Sequence, residues 1–315
     1  MAATFSDSAR SVKRRGFRAP SNPTVRAARV MSRRAVVTLL LSFFALFFMI
    51  PVVWLVLAGT KNGQTLVSSG PFAFGSIHNL VKNAKTVFDY QDGVFTTWLL
   101  NSILYAGVAL LLTLLVSLPA GYALAKMEFR GRRVLLAVTL VVMLMPATAL
   151  VLPTFLEMNA VHLVNTPLSV ILPYTFFPFG VYLTYIYFST ALSTDLLAAA
   201  RIDGCGELRT FWSVALPLAR PVVALVGFFS FSQNWNNFFL PYVMLPGSNR
   251  YPLQVGITQM LASTPTFNPV VGAGAALSTA QLALAALVSI APVLVVFLVA
   301  QRYLVAGLTA GATKG

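Results

Sequence analysis

Long stretches of this chain carry no charged residue. Such runs cover 35–60, 93–125, 134–156, 163–194, 221–249 and 251–301. A helix needs about 20 apolar residues to cross the hydrocarbon core of a bilayer. The first five runs each predict one span, near 35–59, 97–125, 134–156, 168–190 and 222–245. The last run is too long for one. Its first half, with Tyr251, Pro252, Thr264, Pro265, Thr266, Asn268 and Pro269, reads as a loop. Its second half, about 276–303, reads as a sixth helix. The pattern predicts an all-α, polytopic membrane protein with six transmembrane helices.

The charges between the runs set an orientation. Nine basic residues lie in the tail 1–34, four between spans two and three (Lys126, Arg130, Arg132, Arg133), and three between spans four and five (Arg201, Arg209, Arg220). Arg302 and Lys314 follow the last span, so one side holds eighteen and the other only Lys61, Lys82, Lys85 and Arg250. Lysine and arginine are retained on the cytoplasmic side. Both termini are therefore expected there, as an even number of spans requires. Trp54 and Trp98 fall near the outer interface, where amphipathic rings are favoured. The tail 1–34 is too long and basic a lead for a cleaved signal peptide. It reads as a disordered topology anchor that also attracts anionic lipid.

Composition agrees with this. Of 315 residues 57% are hydrophobic and 10% charged, with mean hydropathy +0.79, against about 25% charged in a soluble domain. The net charge of +14 sits between apolar runs rather than in a surface patch, which argues against a nucleic-acid partner. A single cysteine, Cys205, excludes an internal disulfide, and no zinc-like spacing occurs. No predicted span contains Asp, Glu, Lys or Arg, although ion-coupled carriers place such groups at depth. The chain lacks a phosphate-binding G-x-x-x-x-G-K-[ST] and the hydrolase motifs H-E-x-x-H and G-x-S-x-G. His78 and His162 stand in separate outer loops. No catalytic residue, metal site or cofactor is expected. A membrane enzyme would need nucleophiles converging at depth, and none is visible.

A transporter without its own energy source must take energy from a partner, so the longest charged inner loop, 191–220, is informative. Ser193 or Thr194 can cap a short helix over Leu196–Ile202. Gly204 and Gly206 end it, because glycine accepts the left-handed conformation past a helix end. A second short helix, about Glu207–Leu216, carries Phe211 and Trp212, and Pro217 and Pro221 set the entry to span five. Ala198, Ala199 and Ala200 would allow another protein to approach closely, and Phe211 and Trp212 could fill a pocket in it. An ordinary amphipathic surface turn would fit the same pattern.

This loop resembles the EAA motif of ABC importer permeases, roughly E-A-A-x-x-D-G-A followed by a spacer and L-P. Ala199 and Ala200 match the paired alanines, Asp203 and Gly204 the D-G, and Leu216 and Pro217 the L-P. Ala198 stands where the family has Glu, and Cys205 where it has Ala. The resemblance extends from about residue 35 and is closest to the maltose and multiple-sugar branch. Met145-Pro146, Pro153, Asn165-Thr166 and Pro178-Phe179-Gly180 resemble that branch's spans three and four, and Trp235-Asn236 with Phe238 its W-N-x-F. It implies the type I importer permease fold over 35–315, in a bacterial plasma membrane. Its implied partners are a second, similar permease subunit, ATP-binding subunits that hold the ATP and Mg, and an external solute-binding protein. It further implies that 191–220 docks on the ATP-hydrolysing subunit, and that the tail 304–315, with Gly307, Gly311 and Lys314, reaches between the two ATPase subunits. The solute would be a sugar or oligosaccharide, with a polyol, an amino sugar or glycerol phosphate as alternatives. A non-transporting membrane scaffold is the rival reading.

Gln233, Asn234, Asn236 and Asn237 cluster around Trp235 in span five. Amides facing lipid would be unfavourable, so they should face protein or a water-filled path. Amides and an aromatic face suit sugar hydroxyls and rings, which makes these residues the candidate solute path; helix–helix hydrogen bonding is the alternative. Pro146, Pro153, Pro173 and Pro178 are expected to bend spans three and four.

Overall fold

Proline and glycine decide where the long apolar runs stay straight and where they break. The computed structural model describes residues 23–268, 270 and 277–310, and all the regular structure among them is helical. In order these helices are α1 Pro23–Gly59, α2 Gly63–Ser68, α3 Ile77–Phe88, α4 Val94–Lys126, α5 Arg132–Met143, α6 Val151–Ala160, α7 Leu168–Ile171 and α8 Pro178–Ala191. There follow α9 Thr194–Ile202, α10 Glu207–Thr210, α11 Leu216–Leu218, α12 Arg220–Trp235, α13 Phe239–Met244, α14 Leu253–Ala262 and α15 Thr279–Ala310.

Four segments are long and apolar enough to cross a membrane: Val30–Gly59, Val94–Lys126, Leu168–Ala191 and Thr279–Tyr303. Two bent pairs bring the number to six if each counts as one span. The predicted third span is one of these pairs. α5 and the segment Ala147–Ala160 meet at 102°, across Pro146, which has no N–H to continue the helix and disfavours helical backbone at Met145. The later half carries Glu157, which is exposed. A carboxylate therefore lies inside the broken span, beyond the predicted boundary at 156. In the fourth span Pro173 lies in a tight turn at Leu172–Tyr174, and Pro178 starts α8. The predicted fifth span is shortened: α12 ends at Trp235, and a short α13 follows.

Two regions expected to be loops are folded. α14 occupies the stretch after Pro252 and buries Leu253, Val255, Gly256 and Met260. Proline there opens the helix rather than preventing it, since an N-terminal position has no intrahelical use for the missing N–H. The segment 60–93 holds α2, capped reciprocally by Asn62 and Thr65, and α3, capped by Ser76. Lys61, counted above as an outer-loop charge, is 1% exposed. Its Nζ donates to the Gly70 and Pro71 carbonyls at 2.7 and 3.3 Å.

The chain divides into two units, up to Val53 and from Trp54 onward. In the first, the described residues form one helix from Pro23, so the helix begins well inside the tail that was expected to be disordered; residues 1–22 lie outside the described residues. In the second, α4 is the organising element. At 33 residues it is about 50 Å long, and it joins two hydrophobic clusters. Phe95 and Trp98 near its start pack with Trp235, Met244, Leu253 and Met260. Leu118 and Tyr122 near its end pack with Phe188, Leu197, Phe211 and Val226. Trp98 is fully buried, with Nε1 donating to the Ser248 carbonyl at 2.7 Å; it is a core residue, not the interfacial ring expected of it. α4 lies along α8 and α12. A Cβ at Gly121 would collide with Thr184 of α8, so that close approach requires glycine.

Candidate functional site

The loop 191–220 is a helix, an elbow and a second helix. Ser193 accepts from the Asp195 N–H at 3.2 Å and caps α9. Asp195 then lies in the first turn, where a negative charge is favoured by the helix dipole. The elbow closes as a Schellman turn. The Cys205 N–H donates to the Ala200 carbonyl, and the Gly204 N–H to Arg201, each at 3.0 Å. Gly204 has φ +81°, as its predicted role requires. Gly206 differs from expectation: its φ is −68°, and it serves as the N-cap of α10 rather than the end of α9.

After α10 the chain widens into a π-helical turn at Phe211–Ala215, closed by the Leu216 N–H on the Phe211 carbonyl. Pro217 follows directly and has no N–H to offer the turn before it. Such turns occur often at functional positions. α10–α11 then meets α12 at 81°, so the loop turns sharply away from the span that follows it.

Burial separates the two faces of the loop. Leu197 and Ala200 are buried at 2% and 8%. Ala198, Ala199, Asp203 and Gly204 are exposed, as is Pro217, while Leu216 is half-buried. On the outward face Ile202 is 86% and Leu208 78% exposed, with Leu196 at 42%. Apolar side chains this bare, beside two alanines, form an adhesive surface. Ala200 belongs to the inner face and supports the loop from within. Phe211 is also internal: at 4% exposure it packs on Tyr122, ring centroids 5.2 Å apart. It cannot fill a partner's pocket as suggested above. Trp212 is exposed and lines a groove together with Leu111, Leu115 and Leu118 of α4.

One contact in the elbow escaped the sequence reading. Arg201 Nε donates to Glu207 Oε1 at 2.8 Å across the turn. That hydrogen bond, and the charge of Glu207, hold the guanidinium above its ordinary pKa. Both side chains are well exposed, so the pair adds little stability. Opposite charges flanking Gly-Cys-Gly are the signal that could have found it. The second oxygen, Glu207 Oε2, and the nearby Tyr122 hydroxyl are buried without a protein partner.

The amide cluster of α12 divides. Trp235 is 1% exposed, stacks on Phe231 at 5.6 Å and donates Nε1–H to the Ser289 carbonyl at 2.9 Å. It is a core residue, which removes it from a path wall. Asn234 donates to the Ser230 carbonyl at 2.8 Å, and Asn237 is half-buried. These two border a cavity of only about 10 Å³ beside Ser102 and Tyr105, which excludes a sugar. Gln233 and Asn236 lie one turn apart on the other side and are exposed. Gln233 opens into a cavity of about 350 Å³ with Thr154, Tyr174 and Phe177. Among the tail residues, Gly307 lies in α15, which continues through the predicted tail start at 304; Gly311 and Lys314 lie outside the described residues.

Residues 117–310 match the family described as binding-protein-dependent transport system inner membrane component. The chain belongs to this family. The match contains the whole loop 191–220 and α12. The chain is 31% identical to the arabinooligosaccharides transport system permease protein AraQ of Halalkalibacterium halodurans, over 87% of this chain and 94% of that protein. It is also 31% identical to the diacetylchitobiose uptake system permease protein NgcG of Streptomyces coelicolor, over 91% of each. A solved bacterial ABC transporter involved in the import of the acidic polysaccharide alginate superposes with a TM-score of 0.74 at 26% identity, covering 89% of this chain and 98% of that one. The fold is that of an ABC importer permease, and the expected family and fold class are borne out. The chain is thus an inner-membrane permease component whose apolar helices span the bilayer.

Proposed function

We propose that this chain is one permease subunit of an ATP-driven importer for a sugar or oligosaccharide. Relatives named for arabinooligosaccharide and diacetylchitobiose transport, each aligned over most of its length, support that substrate class. Both termini and the loop 191–220 face the cytoplasm, as the distribution of lysine and arginine indicates. ATP is hydrolysed in separate subunits. A second permease subunit completes the pathway, and an external binding protein delivers the solute.

The observation that carries the coupling part is the outward face of 191–220. Ile202 and Leu208 stand almost bare on a loop whose inner face is locked into the core by Leu197 and Phe211. Force applied at the outer face therefore passes to Tyr122 of α4 and Phe188 of α8 through ring contacts of 5.2 and 5.4 Å. Docking of the ATPase on this surface would turn closure of the ATPase pair into movement of α4, α8 and α12. The tail after Gly307 is assigned to the same side. Gln233 and Asn236 supply hydrogen-bonding groups toward the solute path.

Purification of the tagged chain in mild detergent tests this. The expected result is recovery of an ATPase subunit, a second permease and a binding protein whose ligand is a saccharide. Recovery of the chain alone, from membranes containing the partners, would favour a scaffold instead.

A further inference from the structure

A groove lies between the second half of the loop 191–220 and α4. It has a volume of about 740 Å³, within the ~300–1,000 Å³ typical of ligand sites. Leu111, Leu115 and Leu118 of α4 form one wall, over about 10 Å of helix. Trp212, Tyr303, Arg220 and Ala224 also line it. The walls are almost wholly apolar, with no row of free backbone groups to pair with a peptide strand. Arg220, at the start of α12, is exposed and makes no hydrogen bond or ion pair among the described residues. Arg302 stacks over the Tyr303 ring at 4.7 Å, which adds a second cation beside the same wall.

An apolar trough along a membrane-spanning helix, with an unpaired guanidinium on its lining where the loop enters α12, matches one ligand chemistry. We propose that it binds an anionic phospholipid of the adjoining leaflet. One acyl chain lies along Leu111–Leu118, and the headgroup phosphate accepts from Arg220. Guanidinium suits phosphate because its fork of N–H donors matches two oxygens. The indole of Trp212 sits against the chain near the headgroup, where such rings are favoured. Trp212 belongs to the loop itself, so the lipid holds the loop from the membrane side while its outer face stays open. The site depends on the chain spanning a bilayer, and on neither the sugar nor the ATPase.

The test is quenching of tryptophan fluorescence by brominated lipids in reconstituted protein. Subtracting the signal of Trp212→Phe isolates the Trp212 component. Brominated phosphatidylglycerol should quench this component at about fivefold lower mole fraction than brominated phosphatidylcholine, since one arginine is worth about that much toward an anionic surface. Arg220→Gln should remove most of the preference and Arg220→Lys retain most of it. Ala224→Leu, which fills the groove without altering charge, should weaken quenching by both lipids. Equal quenching by the two lipids in the unaltered protein would overturn the proposal. So would the absence of Trp212-dependent quenching by either, which would mean that a protein helix covers the groove.

Discussion

Gly204 shows how much one residue can carry. Its φ of +81° is required by the Schellman turn, yet a Cβ built on it meets nothing within 4 Å. The constraint is therefore backbone conformation rather than space. Gly204→Val is expected to strain the elbow by about 1–2 kcal/mol and to uncouple ATP hydrolysis from uptake in proteoliposomes. Gly204→Asn, which tolerates the left-handed region, should keep the two coupled. Full coupling in Gly204→Val would show that the elbow's conformation is unimportant. Gly256 is the opposite case. Its backbone is helical, but a Cβ there would overlap the buried Trp98 ring. Gly256→Ala should lower stability by about 1–3 kcal/mol, the usual effect of overpacking, seen as a lower melting temperature in detergent.

At the scale of elements, the amides of α12 separate by helical face. Asn234 serves an internal hydrogen bond to the Ser230 carbonyl, so Asn234→Ala should cost about 1 kcal/mol in stability, read by thermal melting. Gln233 and Asn236 are exposed, Asn236 making one exposed bond to the Ser232 carbonyl at 2.9 Å, so the double change Gln233→Ala with Asn236→Ala should reduce solute uptake with little effect on melting. Unchanged uptake would remove them from the path. The sequence shows that amides cluster here but not which face is which, because Trp235 in their midst reads equally well as a sugar platform or a core ring. Its partner, the Ser289 carbonyl, lies 54 residues away, and no local pattern reveals such a pair. The same holds for Trp98 and Ser248. What was legible was local: the four spans long and apolar enough to cross a membrane, the cap at Ser193, the left-handed Gly204 and the bend at Pro146. α14 was missed because the polar residues and prolines from Thr264 to Pro269, with Pro252, gave the whole stretch a loop reading, although Leu253–Ala262 between them is uninterrupted and a helix start accepts Pro252.

For the whole molecule, the important asymmetry is between the two faces of 191–220. The inner face belongs to the second hydrophobic cluster and cannot be altered without disturbing the fold. The outer face contributes almost nothing to this chain's own stability, since Ile202 and Leu208 expose 86% and 78% of their surface. Substitution there separates assembly from folding. Ile202→Asp with Leu208→Asp should leave membrane insertion and melting unchanged, because surface changes away from packed features usually stay within ±0.5 kcal/mol. Across a docked interface each change would bury a carboxylate without a partner, a penalty large enough to disrupt binding. The double variant should therefore fail to retain the ATPase subunit during purification, while still retaining the second permease. Retention of both would show that the bare apolar face is not where the ATPase sits. Loss of both would mean that the face supports assembly of the permease pair, and force transmission would then have to enter the fold elsewhere than at Phe211 and Tyr122.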